Sequence, residues 1–306
     1  MSIRRFVVGS RGSPLSRRQT ELALEPIRVA HPDADIEIRA VRTEGDRSSA
    51  SLSEIGGRGV FVAELEATLL RGDIDIAVHS LKDMPSHGAD GLAIAAVTVR
   101  ADVRDALVSR DGLKLAGLPA AAVVGTGSPR RASQLLAARP DLRVADIRGN
   151  VDTRIRKVQD SDYDATVLAA AGLARMGWLD RATELFSTDV MLPAVGQGAL
   201  ALQVRADDPE AVALVAAADD HATHRATAAE RAFEARLGGG CHSAIAALAV
   251  ATGDRVHLRG LVASGDGSEL LRGEIEGALE DAEPLGAELA EALLARGAGK
   301  LLEVGA

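Results

Sequence analysis

Ile3-Arg4-Arg5-Phe6-Val7-Val8-Gly9-Ser10-Arg11-Gly12-Ser13-Pro14 runs from a short apolar stretch straight into a Ser-Pro pair. Ile3 to Gly9 reads as a buried strand. Ser13 reads as a helix N-cap and Pro14 as the first helical residue. A serine oxygen accepts one of the free amides there, and proline has no N–H to leave unpaired. The helical pattern continues to Ala30 and stops at Pro32. Gly125-Thr126-Gly127-Ser128-Pro129 repeats the Ser-Pro start. Outward from these two junctions, strands are predicted at Ile36–Val41, Ile74–Val78, Leu92–Val97, Ala106–Val108, Ala121–Val124, Val144–Ile147 and Ala165–Ala170. Helices are predicted at Phe61–Leu70, after Ser128-Pro129 and after Asn150. This βαβ rhythm predicts parallel or mixed sheets flanked by helices.

Ala199–Val204 reads as one more strand, which could return to the first unit and make that domain discontinuous. From His221 the style changes. A helix over Ala222–Leu237 precedes three β-like runs, Ala246–Ala251, Val256–Ala263 and Glu269–Glu276, and a last helix covers Pro284–Arg296. The expected class is α/β, with two α/β domains of mixed sheets and a small C-terminal α+β domain. The expected boundaries are 1–98 with 197–217, then 99–196, then 218–306.

The 306 residues are 47% hydrophobic and only 2% aromatic, with a net charge of −9. Few aromatics argue against stacking on single-stranded nucleic acid, and the charge argues against a general polyanion binder. No run approaches the roughly 18 apolar residues of a membrane span. Met1-Ser2-Ile3-Arg4-Arg5-Phe6 lacks a signal-peptide pattern, so a soluble cytoplasmic protein is expected. Charge is uneven: Ser128–Lys157 holds eight basic and three acidic residues, a local +5 inside an acidic chain. Such a cluster can focus field on a small anion.

Arg11 precedes Ser13-Pro14, Arg130-Arg131 follow Ser128-Pro129, Arg148 precedes Asn150, and Arg154 stands a turn further on. Helix N-termini attract anions, and arginine pairs bidentately with carboxylates or phosphates. Each arginine alone reads as solvated surface; together they favour an anion-binding cleft. No GxxxxGK[ST] phosphate loop is present, so multiple carboxylates are at least as good a ligand. Ala77-Val78-His79-Ser80-Leu81-Lys82-Asp83-Met84-Pro85 places polar groups directly after a strand, where α/β folds hold ligands. Asp83 there is open to two readings, a group that steadies a cation or moves a proton, and a plain loop carboxylate. No metal site is expected. His79 has no second ligand nearby, and nothing completes a set around His221 and His224.

Cys241 is the single cysteine, in Leu237-Gly238-Gly239-Gly240-Cys241-His242-Ser243. A lone thiol forms no internal disulfide. It could be a small buried hydrophobe. Three glycines, poor in helices and strands, favour a turn presenting the thiol as a covalent attachment point.

These segments together resemble the porphobilinogen deaminase (hydroxymethylbilane synthase) family. The resemblance is carried by Arg11-Gly12-Ser13-Pro14-Leu15 with Gln19, and by Val78-His79-Ser80-Leu81-Lys82-Asp83-Met84-Pro85. It continues with Gly125-Thr126-Gly127-Ser128-Pro129-Arg130-Arg131, Arg148-Gly149-Asn150-Val151-Asp152-Thr153-Arg154, Leu192-Pro193-Ala194-Val195-Gly196-Gln197-Gly198 and Gly239-Gly240-Cys241. They stand in the family's order from near residue 4 to the end. Two positions depart: Gly127 where many members have serine, and Arg58 where many have lysine.

The resemblance implies first two domains similar to periplasmic binding proteins, with the active site between them. It also implies a dipyrromethane cofactor on Cys241 through a thioether. Four porphobilinogen molecules would be joined head to tail with loss of ammonia, and hydroxymethylbilane released by hydrolysis. Asp83 is the implied catalytic residue. Lys82, Asp83, Thr126, Ser128, Arg130, Arg131, Arg148 and Asn150 would hold the cofactor. Arg11, Ser13, Gln19, Arg58, Ser80, Arg148, Arg154 and Arg175 would hold substrate. A monomer is implied, with hand-over of product to uroporphyrinogen-III synthase. The Ser/Gly-rich stretch from Ser48 to Gly59 is the candidate moving loop. Two rivals are a non-catalytic anion-binding protein and another transferase using Cys241 transiently.

Overall fold

A computed structural model describes residues 4–41, 59–238 and 243–303. Arg58, Cys241 and most of the expected moving loop lie outside the described residues. The chain forms two compact units, one of residues 1–101 and 198–225, the other of residues 102–197 and 226–306.

In chain order the elements begin with β1 (Arg5–Arg11), α1 (Pro14–Ala30), β2 (Asp35–Val41), α2 (Gly59–Leu70), β3 (Ile76–Ser80) and β4 (Leu92–Val97). Next come β5 (Asp105–Ser109), β6 (Val123–Gly125), α3 (Pro129–Ala138), β7 (Arg143–Ala145), α4 (Val151–Gln159), β8 (Ala165–Ala169), α5 (Ala170–Arg175) and β9 (Glu184–Leu185). The chain continues with β10 (Leu200–Arg205), α6 (Pro209–Val215) and α7 (His221–Arg236). It closes with β11 (Ile245–Thr252), β12 (Arg255–Ala263), β13 (Leu270–Ala278), α8 (Ala282–Ala295) and α9 (Ala298–Glu303).

The first unit's sheet has the order β2-β1-β3-β10-β4, with β1 parallel to β2 and β3 and with β10 antiparallel to both its neighbours. The second unit's larger sheet, β7-β6-β8-β5-β9, has the same run of directions. Both are the mixed sheets that the βαβ rhythm implies. The predicted strand at Ala199–Val204 is β10, hydrogen-bonded between β3 and β4.

Helix α1 forms as its sequence dictates. The Ser13 hydroxyl accepts from the Ser16 amide at 3.2 Å, and Pro14 takes the first helical position. Its buried face is Gln19, Thr20, Ala23, Leu24 and Ile27, a spacing of three and four. That stripe packs with Phe6, Val8, Ile76 and Val78 of the sheet. Each fully buried large aliphatic contributes about 1.5–3 kcal/mol.

In the second unit, β11, β12 and β13 form an antiparallel sheet. One face packs with Phe233 of α7 and with Leu289 and Leu293 of α8. A Cβ on Gly260 of β12 would stand 2.5 Å from the Phe233 ring, so glycine admits the aromatic there. Among the described residues no helix is long and apolar enough to cross a membrane.

Candidate functional site

In the first unit the expected site residues gather at the carboxyl ends of β1 and β3, which lie side by side and parallel. Arg11 ends β1 and Ser13 caps α1. The buried Gln19 donates from Nε2 to the Ser80 hydroxyl at 3.0 Å, joining two expected substrate residues. Lys82 and Asp83 follow on a single 3-10 turn, Leu81–Asp83. That turn is pinned by the Leu81 amide on the Ala199 carbonyl at 3.1 Å and by the buried Leu81 and Met84 side chains.

His79, one strand position before Ser80, is buried. Burial pushes its imidazole down to about 4, against the opposing pull of its hydrogen bond to Gln203. The Asp83 charge favours its protonation and the Arg11 charge opposes it, so both groups act on one ring. The His79 Nε2 meets Gln203 Oε1 at 3.0 Å, and Gln203 Nε2 donates to Glu66 Oε1 at 2.8 Å. A carboxylate only accepts, so the amide turns its NH2 to Glu66 and its oxygen to the imidazole; Nε2 then carries the proton. His79 is thus a neutral, hydrogen-bonded core histidine.

In the second unit the expected anion residues flank two adjacent strand ends. β6 and β7 are parallel neighbours, and the Thr126 amide donates to the Ala145 carbonyl at 2.8 Å. Thr126 is buried, and its hydroxyl accepts from the Ser128 amide at 3.2 Å. Ser128 caps α3. Arg130 and Arg131 open that helix yet are only 4% and 7% exposed, so they are not solvated surface. Both reach Asp105 at the head of β5: Arg130 Nη1 at 2.8 Å to Oδ2, and Arg131 Nη2 at 2.7 Å to Oδ1.

At the second junction Asn150 precedes α4 without a side-chain capping bond, and Arg154 Nε donates to the Gly149 carbonyl at 2.8 Å. Arg148 Nε pairs with Asp146 Oδ2 at 2.8 Å. The departure at Gly127 has a local cause here, because a Cβ there would meet Asp146 Oδ1 at 2.5 Å. The absent Cβ leaves room for the carboxylate that holds Arg148. Arg175 ends α5, and burial alone pushes its guanidinium down to about 10.

Among the described residues, Arg11, Ser13, Gln19, Ser80, Lys82 and Asp83 stand at or just beyond the ends of β1 and β3. Thr126, Ser128, Arg130, Arg131, Arg148, Asn150 and Arg154 follow β6 and β7, whereas Arg175 stands at the end of α5. Sequence reading gave no site role to Asp105 or Asp146, and it quoted Gln197, whose Nε2 reaches Asp105 Oδ1 at 3.1 Å, only as part of a motif. Asp105 heads the apolar run Ala106-Leu107-Val108, and an acid opening such a strand was the available signal. Asp146 carried none, since its role follows from a contact with Gly127 that sequence does not display.

Residues 6–213 match the family model described as porphobilinogen deaminase, dipyromethane cofactor binding domain. Residues 224–295 match the model of the porphobilinogen deaminase C-terminal domain. A porphobilinogen deaminase of Halalkalibacterium halodurans is 44% identical over 304 residues, covering 98% of this chain and 97% of the relative. One from a Roseiflexus species is 46% identical over 298 residues, covering 97% and 98%. Among solved structures, a TRAP periplasmic solute-binding protein from Pseudomonas putida F1 is similar at 10% identity and a TM-score of 0.40. That match covers 71% of this chain and 78% of the other.

Proposed function

This chain belongs to the porphobilinogen deaminase family, and on that premise we propose the stepwise course of its reaction and the residues that carry it. The family's enzymes are transferases, and the cofactor its larger model names is dipyrromethane. The overall reaction we assign is head-to-tail condensation of four porphobilinogen molecules, with ammonia lost at each joining and hydroxymethylbilane freed by hydrolysis.

The donor set of this chain suits the cofactor. Dipyrromethane and porphobilinogen both carry acetate and propionate groups, and guanidinium groups at capped helix starts are matched to carboxylates. We assign Arg130, Arg131, Arg148 and Lys82 to cofactor carboxylates, with Thr126, Ser128 and Asn150 as neutral donors. Arg11, Arg58, Arg148, Arg154 and Arg175, with Ser13, Gln19 and Ser80, are assigned to substrate. Bound through a thioether to Cys241, the cofactor supplies the nucleophilic pyrrole carbon at which chain growth starts.

Asp83 faces the developing charge. As the substrate's aminomethyl group leaves as ammonia, an azafulvene-type cation forms. The Asp83 carboxylate steadies it, accepts the pyrrole N–H and assists removal of the proton from the joined carbon. A preorganised charge of this kind is worth several kcal/mol in a site shielded from water. The observation that carries the reading is that Arg11 ends β1 while Asp83 stands on the turn that directly follows β3, the parallel neighbour of β1. An anion for the developing cation and a cation for a substrate carboxylate stand at adjacent strand ends.

Three parts remain part of the proposal: the three-domain division at 1–98 with 197–217, 99–196 and 218–306; a cytoplasmic monomer; and hand-over to uroporphyrinogen-III synthase. The reaction is tested by stoichiometry. Purified protein given porphobilinogen should release one ammonia per porphobilinogen consumed and one hydroxymethylbilane per four. Porphobilinogen binding without ammonia release would favour the non-catalytic rival.

A further inference from the structure

Asp105 is the first residue of β5 and is wholly buried. Its Oδ2 accepts from Arg130 Nη1 at 2.8 Å, and its Oδ1 from Arg131 Nε at 3.1 Å and Nη2 at 2.7 Å. Gln197 Nε2 also reaches Oδ1, at 3.1 Å, while donating to the Val103 carbonyl at 2.7 Å. The two arginines are held from a second side by backbone. Arg130 Nη1 donates to the Leu192 carbonyl at 2.8 Å, and Arg131 Nη1 to the Val167 carbonyl at 2.9 Å. Leu192 is itself fixed by the amide of Gln134, which accepts from its N–H at 2.7 Å and donates to its carbonyl at 3.0 Å.

Two guanidinium groups on consecutive residues repel each other, and the repulsion grows where water is excluded. One carboxylate shared between them offsets that repulsion and fixes both planes through charge-assisted hydrogen bonds. The trio retains a formal charge of +1 at the first turn of α3, where the helix N-terminus also favours an anion. A site built in this way is set before any ligand arrives, so little ordering remains for the ligand to impose.

We propose that Asp105 is a positioning residue for cofactor capture: it holds Arg130 and Arg131 in the geometry that receives the dipyrromethane carboxylates. The inference rests on the reading above that these two arginines bind the cofactor. Asp105 acts through them.

The test is cofactor loading, read by denaturing mass spectrometry on the folded fraction of each variant isolated by size exclusion. Asp105→Asn removes the charge and should load at least tenfold less dipyrromethane than the unaltered protein. Asp105→Glu keeps the charge on a longer stem and should load about threefold less, a partial rescue. A merely structural role would reduce the yield of folded protein without changing the loading of what remains folded. Full loading of the folded fraction of either variant overturns the inference. Should Asp105→Asn give no folded fraction, the Asp105→Glu arm decides alone. Arg130→Leu and Arg131→Leu are measured alongside. If both load fully, the assignment of the arginines fails and the inference falls with it. If they lose cofactor while the Asp105 variants load fully, only the inference fails.

Discussion

Asp83 and His79 stand four residues apart, and their environments give them different work. Asp83 sits half-buried on a pinned turn, whereas His79 is sealed in the sheet and hydrogen-bonded to Gln203. Asp83→Asn is nearly isosteric but carries no charge against a developing cation. It should keep the cofactor, still bind porphobilinogen and lose at least tenfold in turnover, about 1.4 kcal/mol of barrier. Steady-state assay and cofactor mass measured on one sample check both halves.

His79 predicts a pH dependence of stability. Its folded-state value lies near 4 against an ordinary 6.5, so on acidification the unfolded chain takes up this proton first. Stability from His79 is therefore complete above about pH 6.5 and lost progressively as pH falls toward 4, on the order of 3 kcal/mol in all. Urea unfolding at a series of pH values should show His79→Gln losing less stability across that window than the unaltered protein. Equal losses would contradict the buried neutral imidazole.

At the scale of elements, the Ser-Pro junctions were legible because capping is local chemistry: Ser13 and Ser128 each cap the helix expected of them. Strand limits were less so. The third strand reads from sequence as Ile74–Val78, yet β3 runs Ile76–Ser80 because Ser80 pairs with Leu200 in the antiparallel ladder to β10. A partner some 120 positions away extends a strand into polar residues that no local pattern assigns to it. The short β9 is paired by a similar long-range contact with β5.

The helix starts also divide the arginines. Arg130→Leu and Arg131→Leu should fail to hold cofactor. Arg11→Leu and Arg154→Leu should retain it but stall with partly extended product, visible as truncated mass ladders after brief exposure to porphobilinogen. Identical cofactor loading and identical ladders from all four would contradict this division of roles. Helix packing gives a separate prediction. A Cβ on Gly286 of α8 would press into the Ala229 carbonyl of α7, so Gly286→Ala forces the two helices apart. It should cost about 1–3 kcal/mol in denaturant unfolding. An unchanged midpoint would contradict the close approach.

For the whole molecule, the family and its α/β class were legible because the motifs stand in one order along the full chain. Their spatial grouping was not, since neighbouring strand ends bring Thr126 beside Ala145, and α3 brings Arg131 onto Asp105, only after folding. The central claim is that this chain builds its product on a cofactor bound through its single cysteine. Denaturing mass spectrometry of the purified protein, followed by peptide mapping, tests it most directly. A persistent adduct of two linked pyrroles is expected on the peptide containing Cys241, and Cys241→Ser should give a folded protein with neither adduct nor turnover. An unmodified Cys241 in fully active protein, or wild-type turnover by Cys241→Ser, would contradict it.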